Sequence, residues 1–245
     1  MGARPKRSIK KQGVSIIACT KRQSYIRNLF NNYSRQNHAK KELIIIVNND
    51  NIPLTPYLSL AKKLPNVHVY RLPERTSLGA CLNYAIKKTK YDYIAKFDDD
   101  DYYAPYYLTE SVQTFQRTNA DVIGKRAHYM YLRGSKTFIL RFPQDEHRPV
   151  TLIPGATLVF KRKVVNKVQF PNRSVGEDDL FCIRSKRNGY NVYSAGKSNF
   201  VAIRRKNSSN HTWIISDKEL ISQSQKIPSV THYKRYVQKK PKGVL

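Results

Sequence analysis

Four short apolar runs, separated by segments of helical period, constrain this chain more than any other feature. Val14-Ser-Ile-Ile-Ala18, Glu42-Leu-Ile-Ile-Ile-Val47, Val67–Leu72 and Tyr91–Phe97 read as strands. The second is apolar at five consecutive positions, the signature of a strand covered on both faces. Between the runs, Ile26, Leu29, Phe30 and Tyr33 recur at helical spacing within about Ser24–Gln36. Thr55-Pro56 supplies an N-cap and a first-turn proline for a second helix. Ser77 begins a third, with Leu78, Cys81, Leu82, Ala85 and Ile86 on its buried stripe. Strand alternating with helix predicts an α/β fold: a mainly parallel central sheet with helices on both faces. Ligands of such sheets bind outside the carboxyl ends of the strands. The loops Cys19–Arg22, Asn48–Asn51 and Asp98–Asp101 are therefore expected to converge on one cleft.

The fourth run leads straight into acid. Alternation puts Tyr91, Tyr93, Ala95 and Phe97 on one face, with Ile94 on the other between Asp92 and Lys96. Four aspartates, Asp98–Asp101, follow at once. The chain holds 45 Lys and Arg against 17 Asp and Glu, yet seven of those acids fall in two runs, Asp98–Asp101 and Glu177–Asp179. Adjacent carboxylates at a strand mouth repel one another, and a hard divalent cation with oxygen ligands relieves that repulsion. The alternative is a solvated acidic turn. The second run opens a helix that Asn188-Gly189 is suited to end. Acids in a first turn are also favoured by the helix dipole, by about 0.3–1 kcal/mol each, so this run alone does not define a site.

Further along, Pro105 opens a helix to about Arg117, and Arg126–Leu132 with Thr137–Phe142 form a hairpin around Arg133-Gly-Ser135. Strands are expected at Ala156–Phe160, Asn191–Ser194 and Asn199–Ile203. Residues 1–13 read as a basic arm carrying Arg4, Lys6, Arg7, Lys10 and Lys11. Residues 14–215 read as one domain, and 216–245 as a C-terminal extension ending in a loose basic tail, Lys239–Gly243. The net charge of +28 attracts polyanions: nucleic acid, anionic lipid, anionic polymers or phosphorylated small molecules. Helix-turn-helix, zinc-finger and RNP-like segments are missing, which argues against specific nucleic-acid recognition. Cys19, Cys81 and Cys182 are widely spaced with no CxxC pair, against structural zinc and a disulfide framework. With no apolar run of spanning length, a soluble, cytoplasmic protein is expected.

Taken in order, Val14-Ser-Ile-Ile-Ala-Cys-Thr-Lys-Arg22, the Ile-rich second strand, Leu78-Gly-Ala-Cys-Leu-Asn83, Phe97-Asp-Asp-Asp-Asp101 and Gly176-Glu-Asp-Asp179 resemble family 2 glycosyltransferases across roughly residues 14–215. The resemblance implies the GT-A fold, a Rossmann-like, mainly parallel sheet with a C-terminal acceptor-side portion. It also implies inverting transfer from a nucleotide-diphosphate sugar with Mn²⁺ or Mg²⁺. In that frame Asp98 meets the nucleotide ribose and the metal, Asp100 the metal, and Asp99 belongs to the donor site with Asp101 behind it. Thr20 and Arg22 approach the nucleotide, and His211 in Asn210-His-Thr-Trp213 the metal or diphosphate. Arg204 and Arg205 are candidates for the leaving group's charge. Asp178 would be the general base and Glu177 its positioning partner. Relatives often end the second strand in Asp-Asp-Gly-Ser, whose acid helps read uracil. Here Asn48-Asn-Asp-Asn51 stands instead, so Asn49 or Asp50 would take that part. The resemblance implies a UDP-sugar donor and a glycan, anionic-polymer or lipid-linked acceptor, and the charge is compatible with peripheral contact at an anionic membrane. Two other readings compete: a basic polyanion-binding protein whose 17 tyrosines could stack bases, and an inactive transferase-like scaffold. Metal-dependent binding of a nucleotide sugar excludes the first, and turnover excludes the second.

Overall fold

Every side chain of the apolar run Leu43–Val47 is fully buried, and alternation divides them between two cores. Leu43, Ile45 and Val47 join one cluster, and Ile44 and Ile46 the other. The computed structural model describes residues 13–206 and 215–242. In chain order they form β1 (Val14–Thr20), α1 (Ile26–Ser34), β2 (Lys41–Val47), α2 (Thr55–Ala61), β3 (Val67–Arg71), α3 (Leu78–Lys87), β4 (Tyr93–Lys96), β5 (Tyr102–Tyr103) and α4 (Tyr107–Arg117). Then come β6 (Val122–Gly124), β7 (His128–Leu132), β8 (Thr137–Arg141), β9 (Arg148–Pro149), β10 (Val159–Lys161), α5 (Arg162–Val165) and α6 (Glu177–Arg187). Last are β11 (Val192–Ser194), β12 (Phe200–Arg204), α7 (Asp217–Ser222), β13 (Gln225–Lys226) and α8 (Tyr233–Val237).

The larger sheet has the order β3-β2-β1-β4-β10-β6-β11-β9. Its first four strands are parallel, as their alternation with helices requires. β10 breaks the pattern, lying antiparallel between β4 and β6. Helices α1 and α4 supply Leu29, Phe30, Tyr33, Leu108, Val112 and Phe115 to one face. On the other, α3 and α6 supply Cys81, Leu82, Ala85, Ile86, Phe181 and Cys182. A smaller sheet, β13-β8-β7-β12-β5, carries the expected hairpin. Leu220 of α7 and Val237 of α8 pack into two separate clusters against it.

The differences from expectation are local. β1 extends through Cys19 and Thr20, because both pair in register with β2. Thr55 is the first residue of α2 and not its cap, which is Leu54. Ala156 sits in a single 3₁₀ turn, Gly155–Thr157, so the strand expected from Ala156 starts at Val159. The two-residue β5 and the short β6 carry too few residues for a sequence pattern. Lys239–Lys242 is docked: Asn199 exchanges hydrogen bonds with the backbone of Lys239, and Gln113 donates to the carbonyl of Lys242. The arm 1–12 lies outside the described residues.

Helix α3 also holds the segment that leads into α6. Asn83 forms paired hydrogen bonds with the backbone of Phe170, at 2.8 and 3.1 Å, and the Gly79 N–H donates to the Arg173 carbonyl. A Cβ on Gly79 would lie 1.8 Å from the Pro171 carbonyl oxygen, so only glycine permits this approach. Gly79→Ala gains about 1 kcal/mol of helix propensity but forces two backbones apart, and overpacking of this kind costs about 1–3 kcal/mol. A lower urea midpoint with an unchanged m-value is the expected result, read by circular dichroism.

Candidate active site

A chain that turns through four carboxylates must have its backbone groups satisfied elsewhere. Asn28, Asn32 and Gln36, spaced by four, do this from α1 and the turn after it. Asn28 donates to the carbonyls of Asp99 and Asp101 at 2.7 and 2.9 Å. Asn32, fully buried, donates to the same Asp101 carbonyl and accepts from the Tyr103 N–H. Gln36 donates to the Ala104 carbonyl and accepts from the Leu108 N–H. From below, the Tyr103 hydroxyl accepts from the Asp98 N–H at 2.8 Å and donates to the Ala156 carbonyl at 2.6 Å. Its ring stacks on Phe97.

The four carboxylates have different environments. Asp98 ion-pairs with Lys96 at 2.5 Å. Asp99 is buried and accepts from the Thr20 hydroxyl and the Arg22 guanidinium. Asp100 meets the same guanidinium at 2.9 Å. Asp101 accepts from the Ile203 N–H at 2.8 Å, tying the loop to β12. Burial pushes Asp99 up to about 6 and Asp101 well above the usual carboxylate range. Burial opposes the charge of Arg22, but Asp100 and Asp99 outweigh it and hold the guanidinium above its ordinary value.

Strand alternation predicts a polar face for Lys96, yet it is 4% exposed. An ammonium ion so buried requires partners. Burial lowers its pKa, but Asp98 and then Glu177 raise it above the ordinary value, with a smaller contribution from Asp178. Lys96 is therefore paired with Asp98 and acts electrostatically on the start of α6. The Asp178 carboxylate accepts from the Gly155 N–H at 2.7 Å and from the Asp179 N–H at 3.0 Å. Because β10 runs antiparallel to β4, the turn before it lies at the carboxyl end of β4, beside Asp98. A Cβ on Gly155 would stand 2.7 Å from the Asp178 oxygen, so the contact needs glycine. Glu177 is buried, and burial, then Asp178 and Asp98, push it up to about 7 against the pull of Lys96.

A cleft of about 540 Å³ opens over the aspartate run, lined by Cys19–Arg22, Asn48, Asp98–Asp101, Ser174 and Ile203–Arg205 among others, while Lys96, Glu177 and Asp178 stand outside its lining. The three strand-end loops thus converge, the second through Asn48. Asn49 and Asp50 do not line the cleft. The Asn49 amide caps the N–H groups of Asn51 and Ile52, and Asp50 accepts from the Glu74 N–H. His211 lies outside the described residues. Sequence reasoning missed the amide row and Lys96. Three amides at intervals of four beside an apolar stripe, and a lysine in a strand covered on both faces, were the available signals.

Residues 15–174 match the family model described as Glycosyl transferase family 2. The chain belongs to that family. It is 28% identical over 160 residues to the O-antigen biosynthesis glycosyltransferase WbnJ of Escherichia coli, a match covering 62% of each chain. Among solved structures, S. aureus TarS in complex with UDP-GlcNAc superimposes with a TM-score of 0.66 at 19% identity, over 86% of this chain and 64% of that one. The mannosyltransferase PcManGT of Pyrobaculum calidifontis, in complex with GDP-Man and Mn²⁺, gives 0.62 at 16% identity, over 78% and 56%. Both likenesses are of fold, and the fold is GT-A. The chain spans less than two thirds of the length of each. The family match ends before Glu177, so the position of the Glu177-Asp178 pair rests on the geometry described above.

A carboxyl held near 7 makes stability depend on pH. Between about 4.5 and about 7 the unfolded chain ionises Glu177 while the folded chain keeps its proton. The folded state then binds more protons, so stability falls as pH rises through this window and the loss is complete above it. Glu177→Gln removes the penalty. Its melting temperature should exceed that of the native chain at about pH 8, and the gap should close by pH 4.5. In a Lys96→Met background, without the opposing ammonium, the Glu177 carboxyl carbon should titrate at higher pH by NMR.

Proposed function

We propose that this protein is a metal-dependent, inverting glycosyltransferase that moves a sugar from a nucleotide-diphosphate sugar, a UDP-sugar foremost, to a hydroxyl of a glycan, polymer or lipid-linked acceptor. The observation that carries this reading is a cleft of nucleotide-sugar size at the strand-end aspartates, with Asp98 paired to a buried Lys96 that also acts electrostatically on Glu177. The two neighbours solved with UDP-GlcNAc and GDP-Man support the donor class.

The residues fit a divalent cation of a particular kind. Among the described residues no group of three His, Cys, Asp or Glu side chains is arranged to hold a metal ion unaided. Asp98 and Asp100 keep side-chain exposures of 37% and 15% at the cleft, and both are hard oxygen donors. Two carboxylates suit a cation that completes its shell with water and substrate phosphate oxygens. Asp100 and Asp98 would hold it, with His211 a third candidate. The chemistry a bound Mn²⁺ or Mg²⁺ supplies is Lewis-acid stabilisation of the departing diphosphate.

The chain's own groups do the rest. Arg22, anchored on Asp99, and Arg204 and Arg205 on the cleft wall offer positive charge to the diphosphate. Thr20 holds Asp99 in place, and the Asn48–Asp50 turn closes the end where a base would lie, Asn48 at the cleft and Asn49 and Asp50 behind it. Asp178, oriented by the Gly155 N–H, takes the proton of the attacking hydroxyl. Glu177 and Lys96 fix the start of α6 relative to Asp98.

The test compares two variants. Asp178→Asn retains an acceptor for the Gly155 N–H but cannot take a proton. Transfer should fall by a factor on the order of 10²–10⁴, with donor affinity unchanged in calorimetry. Asp100→Asn should instead abolish the Mn²⁺ dependence of donor binding. Normal turnover by Asp178→Asn would remove it as the base.

A further inference from the structure

A cluster of guanidinium groups gathers at the open end of the β7–β8 pair. Arg126 and Arg141 both stack on the Phe142 ring, with guanidinium carbons 3.8 and 4.7 Å from its centroid. Phe142 itself holds the left-handed backbone conformation, φ 46°, immediately after β8. Arg141 is buried. Burial lowers its pKa, and the charges of Arg126 and Arg204 lower it further, so three guanidinium groups share one neighbourhood. Two acids stand near them at the limit of contact: Asp145 lies 3.8 Å from Arg126, and Asp217 lies 3.9 Å from Arg204. His128, opposite Arg141 in the β7–β8 ladder, is buried and pushed down to about 4, so it adds no charge there at neutral pH.

The cluster is joined to the candidate base. The Lys125 N–H, one residue before Arg126, donates to the Thr157 hydroxyl at 2.9 Å. Thr157 ends the turn whose first residue, Gly155, holds Asp178. Arg126 also acts electrostatically on Asp179, next to Asp178, and Arg204 lines the cleft. Several guanidinium groups fixed by stacking on a ring form a pre-organised fork site for a phosphate or carboxylate.

We infer that Arg126 and Arg141, gathered on Phe142, bind an anionic group carried by the acceptor and so present its hydroxyl to Asp178. The inference rests on the reading of Asp178 as the acceptor-side base and adds the acceptor's chemical class, a phosphate- or carboxylate-bearing molecule. The site is distinct from the diphosphate-facing Arg22.

Inorganic phosphate and glucuronate, titrated separately into the full chain by calorimetry, read the subsite without any turnover. Arg126→Gln and Arg141→Gln should each weaken binding of at least one of these anions tenfold or more, whereas Arg22→Gln, at a residue that faces the diphosphate, should leave glucuronate binding in place. Arg126→Lys should recover part of it, through charge without the fork. Because Arg141 is buried and its variant can fail to fold, the half-exposed Arg126 decides the outcome, with its melting temperature measured alongside. Binding of both anions unchanged in Arg126→Gln overturns the inference, as does glucuronate binding abolished by Arg22→Gln alone. Transfer to an uncharged acceptor with a KM indifferent to Arg126 also overturns it, while leaving the transferase reading intact.

Discussion

One buried ammonium group organises the candidate site. Lys96 lies at the end of the central strand, where the carboxylates of Asp98, Glu177 and Asp178 would otherwise face one another in a poorly solvated space. Its 2.5 Å contact with Asp98 fixes the first carboxylate of the strand-end run. Its field keeps Glu177 from an even higher pKa. Without this charge, burial and the repulsion from Asp98 and Asp178 would act on Glu177 with no ammonium to oppose them. The arrangement links the strand-end acids electrostatically to the start of α6 through a single side chain of the central sheet.

Around that charge, the backbone is fixed by neutral groups. The amides of Asn28, Asn32 and Gln36 hold the aspartate loop from one side, and the Tyr103 hydroxyl bolts it to the turn before β10 from another. The reversed direction of β10 brings that turn to the same edge of the sheet as the parallel strand ends. A purely parallel sheet would put it at the opposite edge. Gly155 then completes the contact with Asp178 because it has no side chain to obstruct it.

The sequence was readable where one residue type repeats with a clear period. The strand at Glu42–Val47, the Ser77 cap and the end of α6 at Asn188-Gly189 all follow local rules and are found in the structure, while the strand expected over Tyr91–Phe97 is found over its middle, Tyr93–Lys96. The convergence of three strand-end loops followed from topology alone. What could not be read depends on contacts between distant segments. Lys96 looks like a surface lysine until Glu177, 81 positions later in the sequence, is packed near it. Asn49 and Asp50 look like cleft residues until Glu74 is found against them. Thr55 looks like a cap because cap and first-turn preferences overlap at a single position.

The long sequence separation of these contacts has a consequence for how the protein becomes competent. Thr20 meets Asp99 across 79 residues, and Asp101 meets Ile203 across 102. Contacts so distant in sequence are rewarded only after large loops have closed, which makes them late events in folding. A chain emerging from the ribosome can pair β1 with β2 early, but its acidic loop has no β12 to hold it until more than two hundred residues have been made. Until then the loop has its partners on β1, α1 and Lys96 but lacks the Ile203 contact that holds Asp101. Asp101 therefore gains its last contact only when the C-terminal half of the chain has folded onto the first.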